Sequence, residues 1–322
     1  MLIRIGTRRS ALARVQTDHV IDLIRAKRPD VEVQIRLIQS GGDKDRTSEF
    51  HQFGVIGVFT KAVEAALAEG EADIVVHSLK DLPTTVGAGL VLAAVPARED
   101  PRDVLCGKAL AALPLRGRVG TGSLRRRAQI LALRPDIEVV PIRGNVPPRL
   151  KRTKGADALD AVILAKAGLD RLELSGEIAE ALDPAEFPYA VGQGALGVEV
   201  RARDSHLVEL LKSIEDPRAR AEVDAERAML GALGAGCSLP VGVKVWWEGE
   251  SLALLAQVTA LDGSERIVST ARGSGSEAEA VGFACAAELR RLGGVKLLES
   301  SYRAYCHHFQ LLQDKGLDKA AE

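Results

Sequence analysis

A chain of 322 residues is too long for one ordinary core and suits two or three domains. Its 46% hydrophobic and 27% charged residues predict a soluble globular protein, and no apolar run reaches the roughly eighteen residues that a membrane span needs. With 43 basic and 44 acidic residues the net charge is −1, which excludes a general polyanion binder, so any anion recognition has to come from local clustering.

The chain opens on "LIRIGTR", a strand pattern, without the apolar core and cleavage site of a secretory signal, and a cytoplasmic protein is expected. "SALARVQTDHVIDLIRAKRP" reads as an amphipathic helix with Ser10 as N-cap. "VEVQIRLIQ" is a second strand, "TKAVEAALAEG" a helix ending on Gly70, and "ADIVVHS" a buried strand. The stretch "SGGDKDRTSEFHQFGVIG", 40–57, reads as a flexible lid. The alternation then restarts with "RGRVGTGS", "LRRRAQILALRPD", "IEVVPIRG" and "ALDAVILAKAGLDRL". Strands alternating with helices predict parallel α/β sheets, in two sister blocks near 1–96 and 97–190.

"EFPYAVGQGALGVEVRARDSHLVELLKSI" is expected to return the chain to the first domain, which then comprises 1–96 with 191–215. From 216 the pattern changes. A helix over 217–233 leads into a glycine turn, then strands "VGVKVWW", "LALLAQVTAL" and "ERIVSTARG", joined by "EGE" and "LDGS" turns. The helix "SEAEAVGFACAAELRRLGG" closes an α+β unit, 216–305, with a small antiparallel sheet, and 306–322 is left as a tail. Two α/β lobes joined by a crossover create a cleft, a common place for a ligand.

Three stretches could carry chemistry in that cleft. "HSLKDLP" follows a strand directly, and ligands of open α/β sheets bind beyond strand carboxyl ends, which favours Lys80 and Asp81. The bland alternative is a surface turn capped by Asp81. "GTGSLRRRAQI" opens a helix with Arg125, Arg126 and Arg127, whose charges oppose the positive end of the helix dipole. A bound anion would offset that repulsion; a solvated basic patch is the alternative. "RGNVPPRLKR" sets Arg143 and Arg149 about a turn, and "GTRRS" repeats the arrangement in the other lobe with Arg8, Arg9 and Ser10. Arginines at strand-to-helix turns in both lobes favour a ligand with several carboxylates. With 3% aromatic residues and no continuous basic stripe, nucleic acid is not expected.

The four cysteines show no CxxC spacing, so disulfides and a structural metal site are not expected. Cys106 and Cys285 fall in apolar or helical runs and read as packed small hydrophobes, while "CHHF" lies near the C-terminus without a second ligand pair. Cys237, in "GALGAGCSLPVG", sits on a glycine-rich elbow after a helical run. From the residues alone it is open between core filler, disulfide half, metal ligand and nucleophile.

In order along nearly the whole chain, "GTRRSALA", "ADIVVHSLKDLPT", "AREDPRDVL", "GTGSLRR", "RGNVPPRL", "ILAKAGLDRL", "VGQGALGVE", "AERAML" and "GAGCSLPVG" resemble the porphobilinogen deaminase (hydroxymethylbilane synthase) family. The resemblance implies two lobes built like those of periplasmic binding proteins, plus a third domain. It implies a transferase of tetrapyrrole (haem) biosynthesis that condenses four porphobilinogen molecules, with loss of ammonia, to hydroxymethylbilane. It implies a dipyrromethane cofactor held through a thioether on Cys237, and Asp81 as the catalytic carboxylate beside azafulvenium and pyrrolium cations. Lys80, Asp81, Ser123, Arg125 and Arg126 match cofactor-binding positions. Arg8, Ser10, Arg126, Arg143, Arg149, Arg171 and Gln193 match substrate-binding or cleft positions. A monomer is implied, with product passed to uroporphyrinogen-III synthase and no metal, nucleic acid or membrane partner. Three departures stand out: Ile56 where a lysine is usual, Gly122 where serine is frequent, and Pro147-Pro148 where small or hydroxyl residues are usual. A second reading is a non-catalytic two-lobed binding protein for a polycarboxylate.

Overall fold

The computed structural model describes residues 1–38, 60–234 and 239–314. Lid segment 40–57, with Ile56, and the anchor candidate Cys237 therefore lie outside the described residues.

The first lobe begins with β1 (Leu2–Arg8), α1 (Ala11–Lys27), β2 (Glu32–Ile38), α2 (Lys61–Ala68), β3 (Ile74–Ser78) and β4 (Leu90–Ala94). The second holds β5 (Asp103–Gly107), β6 (Arg118–Gly120), α3 (Leu124–Leu133), β7 (Glu138–Val140), α4 (Val146–Lys151), β8 (Ala161–Ala165), α5 (Lys166–Arg171) and β9 (Ile178–Ala181). β10 (Leu196–Arg201) and α6 (Ser205–Lys212) return to the first lobe. Both lobes carry a five-stranded sheet, ordered β2-β1-β3-β10-β4 and β7-β6-β8-β5-β9. Pairing types match strand for strand: the first three strands in each order are parallel, and β10 or β5 runs antiparallel to both of its neighbours.

The two sheets repeat down to single residues. Gly6 lies opposite Val75 and Gly120 opposite Val162, and a side-chain carbon added at either glycine would fall 3.0 Å from that valine's Cγ1. Each glycine is followed by threonine and then by a serine N-cap: Ser10 accepts from the Ala13 N–H at 3.2 Å, and Ser123 from the Arg126 N–H at 3.4 Å. The expected sister lobes are thus observed, but as mixed rather than wholly parallel sheets. In each sheet the odd strand is one that enters from the other lobe, through segments 95–102 and 182–195.

Period-two burial explains the sheets locally. Along β5, Leu105 packs with Val119, Ile130 and Ile163 on one face, while Val104 and Cys106 pack with Ile142, Val162 and Leu164 on the other. In the first lobe Ile3 and Ile5 meet Val20, Ile21 and Ile24 of α1, one stripe at helical spacing.

The C-terminal unit starts with α7 (Pro217–Ala232), Asp216 accepting from the Ala219 N–H at its N-terminus. β11 (Val241–Glu248), β12 (Ser251–Thr259) and β13 (Arg266–Ser274) form a three-stranded antiparallel sheet. Leu252, Leu254, Ala256 and Val258 point from β12 onto Met229 of α7 and onto Val281, Cys285 and Leu289 of α8 (Ala278–Arg291). Each large side chain buried here contributes about 1.5–3 kcal/mol. The chain does not stop at α8: α9 (Gly294–Asp314) extends helix into the stretch expected to be a tail. Among the described residues no helix is long and apolar enough to cross a membrane.

Candidate active site

β3 ends at Ser78, and Leu79–Asp81 form one 3₁₀ turn beyond its carboxyl end. Buried Leu79 and Leu82 pin that turn, and the Leu79 N–H donates to the Ala195 carbonyl at 3.0 Å. Lys80 and Asp81, between the two leucines, are left half-buried.

Facing them is the start of α3, and its electrostatics rest on a residue that sequence reasoning missed. Asp103, the first residue of β5, is wholly buried. Its Oδ1 accepts from Arg126 Nε at 3.0 Å and Nη2 at 2.7 Å, and its Oδ2 lies 2.7 Å from Arg125 Nη1. Burial alone would raise this carboxyl, but the two guanidiniums outweigh it and hold the pKa down at about 2. The sequence leaves a bound anion and a solvated patch as the two readings of the arginines at this helix start; for Arg125 and Arg126 a fixed internal carboxylate already offsets the repulsion. Arg125 is directed inward, donating also to Gln129 Oε1 at 3.1 Å and to the Pro188 carbonyl at 2.6 Å. Arg126 gives its remaining Nη1 to the Ile163 carbonyl at 2.9 Å. The available signal was a single acid heading the otherwise apolar strand "DVLCG".

Gln193 joins the halves. Its amide is almost fully buried on the returning segment, and its Oε1 accepts from Lys80 Nζ at 3.4 Å. Its Nε2 donates to Asp103 Oδ1 at 2.9 Å and to the Pro101 carbonyl at 2.7 Å. One side chain thus links the Asp81 turn, the α3 arginines and both crossing segments. Arg171, at the end of α5, donates to the Gly194 carbonyl beside it at 2.8 Å.

Among the described residues around this bridge, cations outnumber acids. Burial, then Arg126, pushes the Lys80 ammonium down to about 8, against the opposing pull of Asp81 and Asp103. Burial also pushes Arg149 down to about 10, with Arg126 and Arg143 adding to the effect and Asp81 opposing it. The structure therefore brings Lys80, Asp81, Arg126, Arg143, Arg149 and Gln193 into one field. Arg8 and Ser10 lie where β1 gives way to α1, at the carboxyl edge of the same sheet. Pro147 and Pro148 fall in the first turn of α4, where helix N–H groups have no partner along the helix. They leave anion contacts at that turn to side chains, and Arg149 is already bent back, its Nε donating to the Gly144 carbonyl at 2.6 Å. At Gly122 a side-chain carbon would come within 2.7 Å of the Ile142 carbonyl oxygen, so a serine here would require the backbone to shift. Two of the cysteines behave as expected: Cys106 and Cys285 are buried, and burial raises both thiols, Cys106 to about 11.

Two family models match this chain. One, described as the porphobilinogen deaminase dipyromethane cofactor binding domain, spans residues 3–209, and the other, the porphobilinogen deaminase C-terminal domain, spans 220–291. The chain belongs to the porphobilinogen deaminase family. Similar porphobilinogen deaminases include that of Syntrophobacter fumaroxidans, 42% identical over 94% of this chain and 99% of that protein. That of Acidothermus cellulolyticus is 44% identical over 98% and 96%, and that of Cutibacterium acnes 46% over 82% and 85%. Among solved structures, the methionine binding protein MetQ aligns with 70% of this chain and 94% of its own, at 11% identity and a TM-score of 0.40. The two-lobed architecture stands on the strand order and pairing given above. The cofactor-domain model of the porphobilinogen deaminases covers both lobes, and their C-terminal model covers α7 through α8.

Proposed function

We infer that this protein is an active porphobilinogen deaminase, a transferase that condenses four porphobilinogen molecules head to tail, with loss of ammonia, into hydroxymethylbilane. The observation that carries the reading is the half-buried acid Asp81 set among cations whose charged forms burial disfavours. Such a surplus fits a ligand bearing many carboxylates, and porphobilinogen carries an acetate and a propionate arm. The same donor set suits a dipyrromethane built from the same units, which we assign to Cys237 through a thioether. When bound, that group supplies the terminal pyrrole carbon from which the chain grows.

The residues divide the work. Arg143, Arg149 and Lys80 hold carboxylate arms, the arginines through their guanidinium N–H groups and the lysine as a point charge. Arg126, its N–H groups taken by Asp103 and Ile163, acts on those arms through its charge. Arg8, Ser10, Ser123 and Arg171 are assigned to further contacts with the substrate or cofactor, and Arg125 holds the α3 turn through Asp103. Loss of ammonia leaves a cationic azafulvenium, which the Asp81 carboxylate stabilises across a short distance in a partly dry site. Asp81 also moves protons, toward the departing amine and away from the ring carbon after the new bond forms. Gln193 keeps Lys80 and Arg126 apart by offering a neutral oxygen between two positive groups. The reading carries with it a cytoplasmic monomer whose product passes to uroporphyrinogen-III synthase.

Intact mass spectrometry tests the reading. The purified protein should weigh more than its translated chain by one dipyrromethane and should consume porphobilinogen, while Cys237→Ser should lose both mass and turnover. Protein at the bare chain mass that binds but never consumes porphobilinogen would return the chain to the class of non-catalytic polycarboxylate binders. A pH profile gives a second check. Lys80 loses its positive charge as pH rises through about 8, so kcat/KM should fall on that basic limb. Lys80→Gln should lower kcat/KM below about pH 8 and abolish that limb; an unchanged limb removes Lys80 from substrate binding.

A further inference from the structure

One face of α7 meets the Asp81 turn at every fourth residue. Ala219 and Val223 pack in one cluster with Leu79 and Leu82, the two leucines flanking Lys80 and Asp81. One turn further along, Arg227 donates from Nη2 to the Pro83 and Thr84 carbonyls at 2.7 and 3.0 Å, and from Nη1 to the Leu82 carbonyl at 3.3 Å. A further turn on, Gly231 faces Thr84, where a side-chain carbon would stand 3.7 Å from Thr84 Oγ1. Spacing by four keeps these residues on one stripe of the helix.

A crossing segment also backs the turn. Gly192, at φ +70°, runs so close that a side-chain carbon there would fall 3.0 Å from the Lys80 nitrogen. Its N–H donates to Glu226 Oε2 at 2.7 Å, and Glu226 also takes Arg98 Nη1 at 2.8 Å and Nη2 at 3.1 Å. Neighbouring residues of α7 therefore grip the two crossing segments, through Glu226, and the Asp81 turn, through Arg227. The helix ends at Ala232, shortly before Cys237.

We propose that Arg227 is a positioning residue for catalysis: by holding the carbonyls of residues 82–84 it fixes the Asp81 carboxylate relative to the helix that leads to Cys237. The inference rests on Asp81 being the proton-transferring group. These three hydrogen bonds of Arg227 all go to backbone oxygens, so it acts through the turn and not on the reacting atoms. Misplacing a reacting group by about 1 Å costs on the order of 10²-fold in rate. Loss of the three carbonyl contacts should therefore appear chiefly in kcat, since Arg143 and Arg149, which hold substrate arms, lie outside the turn and only Lys80 moves with it.

The test is a double-mutant cycle read as the single-turnover rate of one porphobilinogen addition on the cofactor-loaded enzyme. Arg227→Met should slow that rate about tenfold or more while KM stays within about threefold. Asp81→Glu should slow it as well, and the double variant should be no slower than the slower single, since two changes acting through one group are not additive. Arg227→Lys, which keeps the charge but not the fork, should fall between the parent and Arg227→Met; it takes the place of Arg227→Met in the cycle should that variant not fold. Slowdowns that multiply would overturn the positioning role while leaving Asp81 in place, and so would a normal rate in the Arg227 variant. A parent-like rate for Asp81→Glu and Asp81→Asn alike would overturn both readings.

Discussion

Asp81→Asn should fold like the parent and lose turnover by about two to four orders of magnitude. The substitution keeps the size and shape of a half-buried side chain in a turn held by Leu79, Leu82 and Arg227, so thermal melting should shift little. What disappears is the negative charge beside Lys80 and Arg149, together with the group that carries the proton. A second effect follows from the same loss. Asp81 favours the charged forms of Lys80 and Arg149, so removing it should move the basic limb near pH 8 to lower pH. Single-turnover kinetics beside a melting curve separate these effects from misfolding, and a near-normal rate would remove Asp81 from its role.

Asp103→Asn should damage the fold before it damages the chemistry. It leaves two buried guanidiniums, Arg125 and Arg126, without the carboxylate between them, and breaking a buried pair from one side costs about 3–5 kcal/mol. Urea denaturation at neutral pH should show that loss. The double variant Asp103→Asn/Arg125→Met should recover part of it, because one orphaned charge is then removed. Acid gives an independent check. The folded-state pKa of Asp103 lies at about 2, below the ordinary carboxylate value near 4, so its stabilisation is complete above about pH 4 and vanishes as pH falls through 2. The variant should lack that portion of the acid slope; equal slopes and equal urea midpoints would show that the buried cluster is not what holds α3 against β5.

The sequence disclosed the outline of both lobes because their signals are local. Alternation marks β1, a serine ahead of a helical stripe marks the start of α1, and the same pair of signals recurs at β6 and α3. Strand direction was not legible, since a side-chain period of two is common to parallel and antiparallel strands; hence β10 and β5 escaped notice as the reversed members of their sheets. α4 was hidden because six residues, two of them proline, are too short to show a helical period. In the site, cations after strands were legible as cations, but the direction of Arg125 was not. It is set by Asp103, which lies in another element and belongs to no spacing pattern. Arg227 was equally silent, because its partners are backbone carbonyls, and those exist at every position of every chain.

The exchange of strands between the lobes also sets the order in which a ribosome can deliver them. The second sheet has all its strands once residue 181 has been made, whereas the first, begun at residue 2, waits for β10 at 196–201 to fill the gap between β3 and β4. The half that starts first is thus completed last, and its final strand arrives attached to the segment that carries Gln193.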